Sequence, residues 1–457
     1  MPPSPHQHPS SYRDPSGFVF TVGDDLYRQV NKSFQKDFEK FISSGLYDSL
    51  VSQKLLVPNE IIQENLTGDD FWFTTLKPEK ISFLSYPYEW TFSMLKDAAL
   101  LTLRLALEAL GRGMIIKDAT PYNVQMHNGK MIFIDTLSFE EYRDGKPWIA
   151  YRQFCESFLG PLALMHYTGL PMQQMLLAHP NGIPLLYVKQ LLPFKSRLNL
   201  HLFLHIHLHA SYATKGGEQT QKAFLSKPKL VHLLRGLEAL VKSFQFEKFE
   251  NVWGKYYEEA ETRPGYLNEK KGIISSWLSS LTDVKTVIDI GGNEGEFAKL
   301  AAQTKQRVIC ADGEHYAVDR LYKQIKNEQQ QNLLPICIDF TAPSPAIGVN
   351  NIERASFYQR ASSDLAMALA LVHHLAIGKN IPFDLIADMC ASIGKTLIIE
   401  YVAKEDEKAA LLLQNKKDIY EWYTEEAFVL SFSKRFKLVE KRTLSSSPRT
   451  LYLMERL

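Results

Sequence analysis

VIDIGGNEGEF, residues 287–297, places a β-branched run and one carboxylate, Asp289, ahead of three glycines and the start of an apolar-periodic helix. Gly291, Gly292 and Gly295, with Asn293 among them, permit torsions and close backbone approach that a Cβ would block. The helix that follows offers unpaired N–H groups at its first turn. A ligand can lie against bare backbone here, so the stretch reads as a nucleotide-cofactor loop. The same residues would also serve an ordinary tight β–α turn, and the surrounding sequence has to decide between the two.

Working outward, strands and helices alternate from Thr286: VIDI, a helix, VICAD, a helix from about Tyr316, LPICIDF, a loop, DLAMALAL, a helix, TLIIEYV, a long helix, FKLVEKRTL and RTLYLMERL. That alternation predicts a mostly parallel sheet with helices on both faces. Only about Ser445-Ser446-Ser447-Pro448 joins the last two runs. A parallel crossover needs far more chain, so these two form an antiparallel pair. Carboxylates recur at successive strand ends: Asp289, then Asp312 followed by Gly313, then Asp339-Phe340. A glycine loop with an acid after the second strand suits a dinucleotide as well. Asn293 and Glu294, however, stand where a pyrophosphate would need small, uncharged neighbours.

The pattern resembles the class I S-adenosylmethionine (SAM) methyltransferases, a Rossmann-like α/β fold with a mostly parallel seven-stranded sheet closed by an antiparallel pair. The resemblance implies that Asp289, Gly291, Gly292, Asn293 and Gly295 form the cofactor loop. It further implies that Asp312 accepts the ribose hydroxyls, and that Asp339 and Phe340 take the adenine amine and cover its ring. Methyl transfer needs mainly alignment, with a base only where the acceptor loses a proton. Candidates for that role follow the fourth and fifth strands: His373 and His374 in ALALVHHLAIG, and Glu400-Tyr401 in LIIEYV. A strand-end histidine also serves simply to pack or cap. No Asn-Pro-Pro-Tyr-like tetrapeptide follows the fourth strand, which leaves oxygen acceptors and small molecules open.

The first half carries a second pattern, IKDATPYNVQMHNGKMIFID at 116–135. Asn128-Gly129 between two apolar runs predicts a β-hairpin. Asp118, Asn123 and Asp135 around it resemble the catalytic loop and metal-binding aspartate of the protein-kinase-like fold. That resemblance implies an α+β domain in which Asp118 orients an acceptor hydroxyl while Asn123 and Asp135 hold magnesium on ATP. The match is partial: Ile116-Lys117 precede Asp118, Thr136-Leu137 follow Asp135, and no glycine-rich phosphate loop or clear phosphate-pairing lysine is present, although LYRQV at 26–30 has strand character and Lys54 lies nearby. A degenerate domain is expected. Asp118, Thr120 and Asn123 also suit a plain side-chain-to-backbone turn.

Around these motifs, WTFSMLKDAALLTLRLALEAL predicts a buried helix over 89–110, and FLSYPYEWTF reads as core. From Trp148 to Tyr212, prolines 161, 171, 184 and 193 predict short helices, residues 214–229 a surface loop, and Arg263-Pro264-Gly265 an interruption in a further helical region ending near Leu281. His201, His205, His207 and His209 have no accompanying Cys or acid, which favours packing over metal binding.

With 457 residues, two domains are the expectation: a loose tail over 1–16, a kinase-like domain over 17–265, and the methyltransferase domain over 266–457. A net charge of +1 gives no strong nucleic-acid signal, and four scattered cysteines indicate neither disulfides nor zinc. The polar, proline-rich start does not resemble a secretory signal, and no apolar run is long enough for a membrane span, so a cytoplasmic protein is expected. Oligomeric state has no sequence signature. Taken together, KDATPYNVQ, DIGGNEG and ALALVHHLAI resemble the NoeA-type nodulation-protein family of methyltransferases. The resemblance covers most of the chain and implies a small-molecule or glycan acceptor, with host-specific modification of lipo-chitin signals as the family context.

Overall fold

The computed structural model describes residues 4–210, 225–246, 264–414 and 417–457. It forms two compact units, Met1–Phe249 with Ala346–Ala355, and Glu250–Pro345 with Ser356–Leu457. Residues 250–263, between that division and the expected one at 265, lie outside the described set.

The second unit is built on seven strands: β10 (Thr286–Ile290), β11 (Arg307–Asp312), β12 (Leu333–Cys337), β13 (Ser363–Ala368), β14 (Gly394–Val402), β15 (Phe436–Thr443) and β16 (Arg449–Arg456), in the order β12-β11-β10-β13-β14-β16-β15. The first five are parallel, and β16 runs antiparallel to both β14 and β15. The alternating pattern of the sequence therefore becomes a parallel sheet with its closing pair. Apolar side chains fill the parallel strands, and even the edge strand β12 is buried at every position, as expected for strands covered on both faces. The direction in which strands are added reverses between β10 and β13, the place at whose carboxyl ends open α/β sheets take their ligands. The long helix expected before β15 is instead two short ones, Glu407–Leu413 and Glu425–Ser433. Between them Tyr420 turns inward and its hydroxyl donates to the Ile377 carbonyl at 3.0 Å.

In the first unit, β1 (His6–Gln7), β2 (Gly17–Val22), β3 (Asp25–Asn31), β4 (Asn59–Ile62) and β5 (Trp72–Pro78) make an antiparallel sheet in the order β1-β2-β3-β5-β4. The expected loose tail is corrected over its described part. β1 pairs with β2, Asn31 N–H donates to the Ser16 carbonyl at 2.8 Å, and Arg13 pairs with Glu353 at 2.7 Å. The buried helix Phe92–Gly111, capped by the Thr91 hydroxyl on Met94 N–H, follows. β6 (Met114–Ile116) pairs with β9 (Phe139–Glu141), and β7 (Val124–His127) with β8 (Lys130–Phe133). The β7–β8 hairpin turns on Asn128 and Gly129, both at positive φ. The aromatic run at 83–92 is core, with Trp90 fully buried.

Two breaks fall elsewhere than the sequence predicts. Pro161 sits in the first turn of the helix Gly160–Thr168, which continues from Tyr151–Phe154 through a π-helical stretch, Cys155–Leu159. Such a widened turn accommodates the missing proline N–H without ending the helix. Pro228 lies in the first turn of the helix Lys227–Ser243, so the predicted loop does not extend past residue 226, and its residues 214–224 lie outside the described set. Pro264-Gly265 stand in the first turn of the helix Pro264–Ser280, and the residues before them, 247–263, lie outside the described set. All four cysteines are free and buried. Among the described residues no helix is long and apolar enough to cross a membrane.

Candidate functional site

At the carboxyl end of β10 the chain enters the glycine loop with Gly291 at φ +74°, Asn293 at +48° and Gly295 at +77°. Gly292 has no room for a side chain: an added Cβ would lie 2.6 Å from Cys310 Sγ and 2.8 Å from Asp289 Oδ2. The loop is held to the second strand by Asn293 N–H, which donates to Asp312 Oδ2 at 2.9 Å, while Glu314 N–H donates to Oδ1 at 2.7 Å. Each Asp312 oxygen thus takes one amide, leaving further acceptor capacity on both. Burial raises the Asp312 carboxyl above its ordinary range.

Asp289 is 2% exposed, and its Oδ2 has no hydrogen-bond partner. Burial, with Asp312 nearby and against the pull of Lys270, pushes its carboxyl up to about 7. A buried carboxylate oxygen without a donor is costly, and a cation or N–H brought to it would relieve that cost. Glu294, which the sequence places beside the ligand, pairs with Arg320, whose Nε lies 2.9 Å from Oε1. Asp339 is exposed just beyond β12 and uses Oδ1 to cap Thr341, at 2.8 Å from its N–H. Phe340 packs edge-on against Phe357 at 5.7 Å.

His373 and His374 are brought to the same end of the sheet, ring centroids 4.1 Å apart. His373 is 0% exposed, with neither ring nitrogen hydrogen-bonded. Burial first, then the other histidine and Arg449, hold it well below its ordinary range. Burial and Arg449 bring His374 down to about 4. Both rings are neutral at pH 7 and weaker bases than a free imidazole.

Lys270, Tyr266, Asp406 and Arg449 went unnoticed in the sequence. Lys270 Nζ lies 2.6 Å from Glu400 Oε2 inside the unit, and Tyr266 Oη donates to Glu400 Oε1 at 2.9 Å. Arg449 makes a two-pronged contact with Asp406, both bonds 2.8 Å, and donates to Tyr266 Oη at 2.7 Å. Glu400 Oε2 also accepts Ala370 N–H at 2.6 Å, fixing a non-glycine residue at φ +52° just past β13. Backbone strain of this sort concentrates where a site is shaped. The signal for Lys270 was present: it shares one helical stripe with Tyr266, Ile274 and Leu278, and a lysine in an apolar stripe needs a buried partner.

In the first unit Asp118, Asn123 and Asp135 converge. Asp118 lies close to Asn123 and Gln153, and burial together with the Asp135 charge raises its carboxyl. It also caps Thr120 N–H at 3.2 Å, the local turn its sequence suggests. Asn123 Nδ2 reaches Ser138 Oγ at 3.3 Å. Asp135 lies against Arg28 of β3, with Nη1 to Oδ1 at 2.5 Å, and accepts from Ser138 Oγ and Leu137 N–H. Burial alone would raise Asp135, but Arg28 and these donors hold it below the ordinary range. Arg28 thus supplies the cation that Asp135 faces, and the donor set as arranged does not fit a magnesium ion. Lys54 sits in a left-handed turn and not on a strand. Among the described residues no three His, Cys, Asp or Glu side chains group as a metal site. The histidine-rich run follows suit: Tyr151 Oη bonds His205 Nδ1 at 2.7 Å, and Ser196 Oγ bonds His207 Nε2 at 2.9 Å.

The strand order, the glycine loop and the β10–β13 switch define the second unit as a Rossmann-like α/β domain. Solved methyltransferases share partial likeness with the chain: N-methyltransferase NodS from Bradyrhizobium japonicum WM9 (13% identity, 42% of this chain and 96% of that one, TM-score 0.31), and magnesium protoporphyrin IX methyltransferase from Synechocystis PCC 6803 with bound SAH (13%, 46% and 90%, 0.32). No protein-family model matches. The chain belongs to the family of nodulation protein NoeA: it is 30% identical to NoeA of Rhizobium meliloti (strain 1021) over 471 aligned residues, spanning 99% of this chain and 97% of the relative.

Proposed function

We propose that the chain is a SAM-dependent methyltransferase acting on an oxygen or nitrogen of a small-molecule or glycan acceptor. The observation that carries the reading is the unpartnered, buried Oδ2 of Asp289 beneath a loop in which Gly292 admits no side chain. A ligand bearing an ammonium and a sulfonium suits that carboxylate, where a pyrophosphate would be repelled. When bound, SAM would supply an activated methyl group. On this reading Asp312 holds the ribose hydroxyls with the acceptor capacity its two amides leave, and Asp339 and Phe340 take the adenine. His373 and His374, neutral and buried, shape and desolvate the acceptor side, and either could accept a hydrogen bond from an acceptor hydroxyl. Titration calorimetry with SAM tests the assignment. Binding by the wild type and at least a tenfold loss in Asp312→Ala are expected; no binding, or equal affinity in the variant, would overturn it.

A second reading concerns the first unit. A five-stranded antiparallel sheet, a long helix and a loop joining Asp118, Asn123 and Asp135 follow the order of the kinase-like fold. Arg28 on Asp135 favours a degenerate, recognition-type domain over a bifunctional kinase and methyltransferase. ATP turnover abolished by Asp135→Ala would reverse that preference.

A further inference from the structure

One surface of the first unit has a composition neither reading uses. The helix Leu185–Leu191, the turn Phe194–Leu198 and the helix Leu200–Leu202 bury Leu185, Val188, Ser196 and Leu202, and turn large apolar side chains outward. Tyr187, Leu191 and Leu200 are exposed, Phe194 is 72% exposed and Leu198 79%. Lone exposed leucines are ordinary, but a group of this size on consecutive short elements marks an interaction surface.

Charge identifies the partner. No Asp or Glu occurs between Glu156 and Glu218, although the chain has 51 of them. The exposed cations on this surface, Lys195 and Arg197, make no ion pair among the described residues. Arg197 instead lies over the Phe194 ring, 5.4 Å from its centroid, and Lys195 over Tyr167 at 5.7 Å. The most exposed ring of the surface, Phe194, therefore sits beside a cation that no carboxylate pairs, with a second such cation next to it in sequence. A symmetric pair of copies meeting through this face would bring cation against cation without a counter-charge. An anionic bilayer offers both missing components, acyl chains for the leucines and Phe194 and phosphates for Lys195 and Arg197. The net charge of +1 for the whole chain conceals this local imbalance.

We propose that the surface formed by residues 185–204 attaches the protein to an anionic lipid surface, Phe194 and Leu198 inserting while Lys195 and Arg197 meet headgroup phosphates. The test is cosedimentation of the full chain with vesicles of phosphatidylcholine alone or with about one-third phosphatidylglycerol. Binding to the anionic vesicles is expected, at least tenfold weaker to phosphatidylcholine and at least tenfold weaker in both Phe194→Ser/Leu198→Ser and Lys195→Glu/Arg197→Glu. These positions are exposed, so melting curves of the variants should match the wild type. Absence of vesicle binding by the wild type, or binding unchanged in both variants, would overturn the proposal. So would a concentration-dependent dimer that Phe194→Ser/Leu198→Ser dissociates, since the surface would then belong to a second copy.

Discussion

Lys270 Nζ stands 2.6 Å from Glu400 Oε2, the lysine from the helix that precedes the sheet and the glutamate from its fifth strand, both removed from solvent. Burial raises the Glu400 carboxyl, yet Lys270 and Arg449 more than offset it and hold it below its ordinary range. Through this pair the helix, the strand and the strained Ala370 turn are fixed to one another.

Breaking the pair from one side should be costly. Lys270→Met leaves Glu400 buried without its nearest cation, and a loss of about 3–5 kcal/mol is expected from urea denaturation. Because the folded carboxyl lies below its unfolded value, its contribution is complete above the ordinary glutamate range and fades as acid protonates it. Lys270→Met should therefore unfold with less dependence on pH below about 4.5 than the wild type.

Asp289 titrates in the opposite sense. Its folded carboxyl is raised to about 7, so the folded state keeps a proton that the unfolded chain releases, and ionisation costs stability as pH rises from the ordinary aspartate range to 7. A cationic ligand favours the ionised form. SAM affinity measured by calorimetry should rise between pH 6 and pH 8, and Asp289→Asn should bind more weakly with that rise absent. A flat profile in the wild type would remove Asp289 from the ligand's surroundings.

Gly292→Ala introduces a methyl group into space held by Cys310 Sγ and Asp289 Oδ2. Overpacking of this sort costs about 1–3 kcal/mol and would shift the loop from Asp312. A drop in melting temperature together with at least a tenfold loss of SAM affinity is expected, whereas Gly265→Ala, with nothing within 4 Å of the added atom, should alter neither.

Arg28→Ala strips the buried Asp135 of its counter-charge. A destabilisation of about 3–5 kcal/mol is expected, partly recovered in Arg28→Ala/Asp135→Asn because the uncompensated charge is gone. Magnesium and ATP should leave the wild-type melting temperature unmoved. A rise of several degrees would show that Arg28 yields its place to a metal.

Much of the second unit was legible because its signals are local. β-branched runs separated by helical periods give a parallel sheet, a four-residue connection forces β15 and β16 antiparallel, and glycines at 291, 292 and 295 mark a loop that needs bare backbone. Asp289, Asp312 and the histidines could be placed at strand ends for the same reason. Lys270 and Arg449 could not, since their roles arise from a helix and the antiparallel strand β16 packed onto Glu400 from opposite ends of the domain sequence. Pro161 and Pro228 do not mark breaks because a proline in a first turn, or beside a π-helical turn, loses no hydrogen bond that the helix requires. Arg28 was passed over because its partner lies 107 positions away, on a loop that only the fold brings to β3.

Ala346–Ala355 belongs with the first unit although its sequence lies between two strands of the second. Within it Glu353 meets Tyr12 and Arg13, and the Arg354 guanidinium rests 3.7 Å from the centre of the Tyr122 ring, beside Asp118 and Asn123. The polypeptide thus enters the first body, leaves it, revisits it for ten residues and leaves again. No single scissile point yields two whole halves: a fragment ending at Phe249 forfeits the stacking partner of Tyr122, so dissection of this protein calls for a graft of the 346–355 segment rather than a truncation.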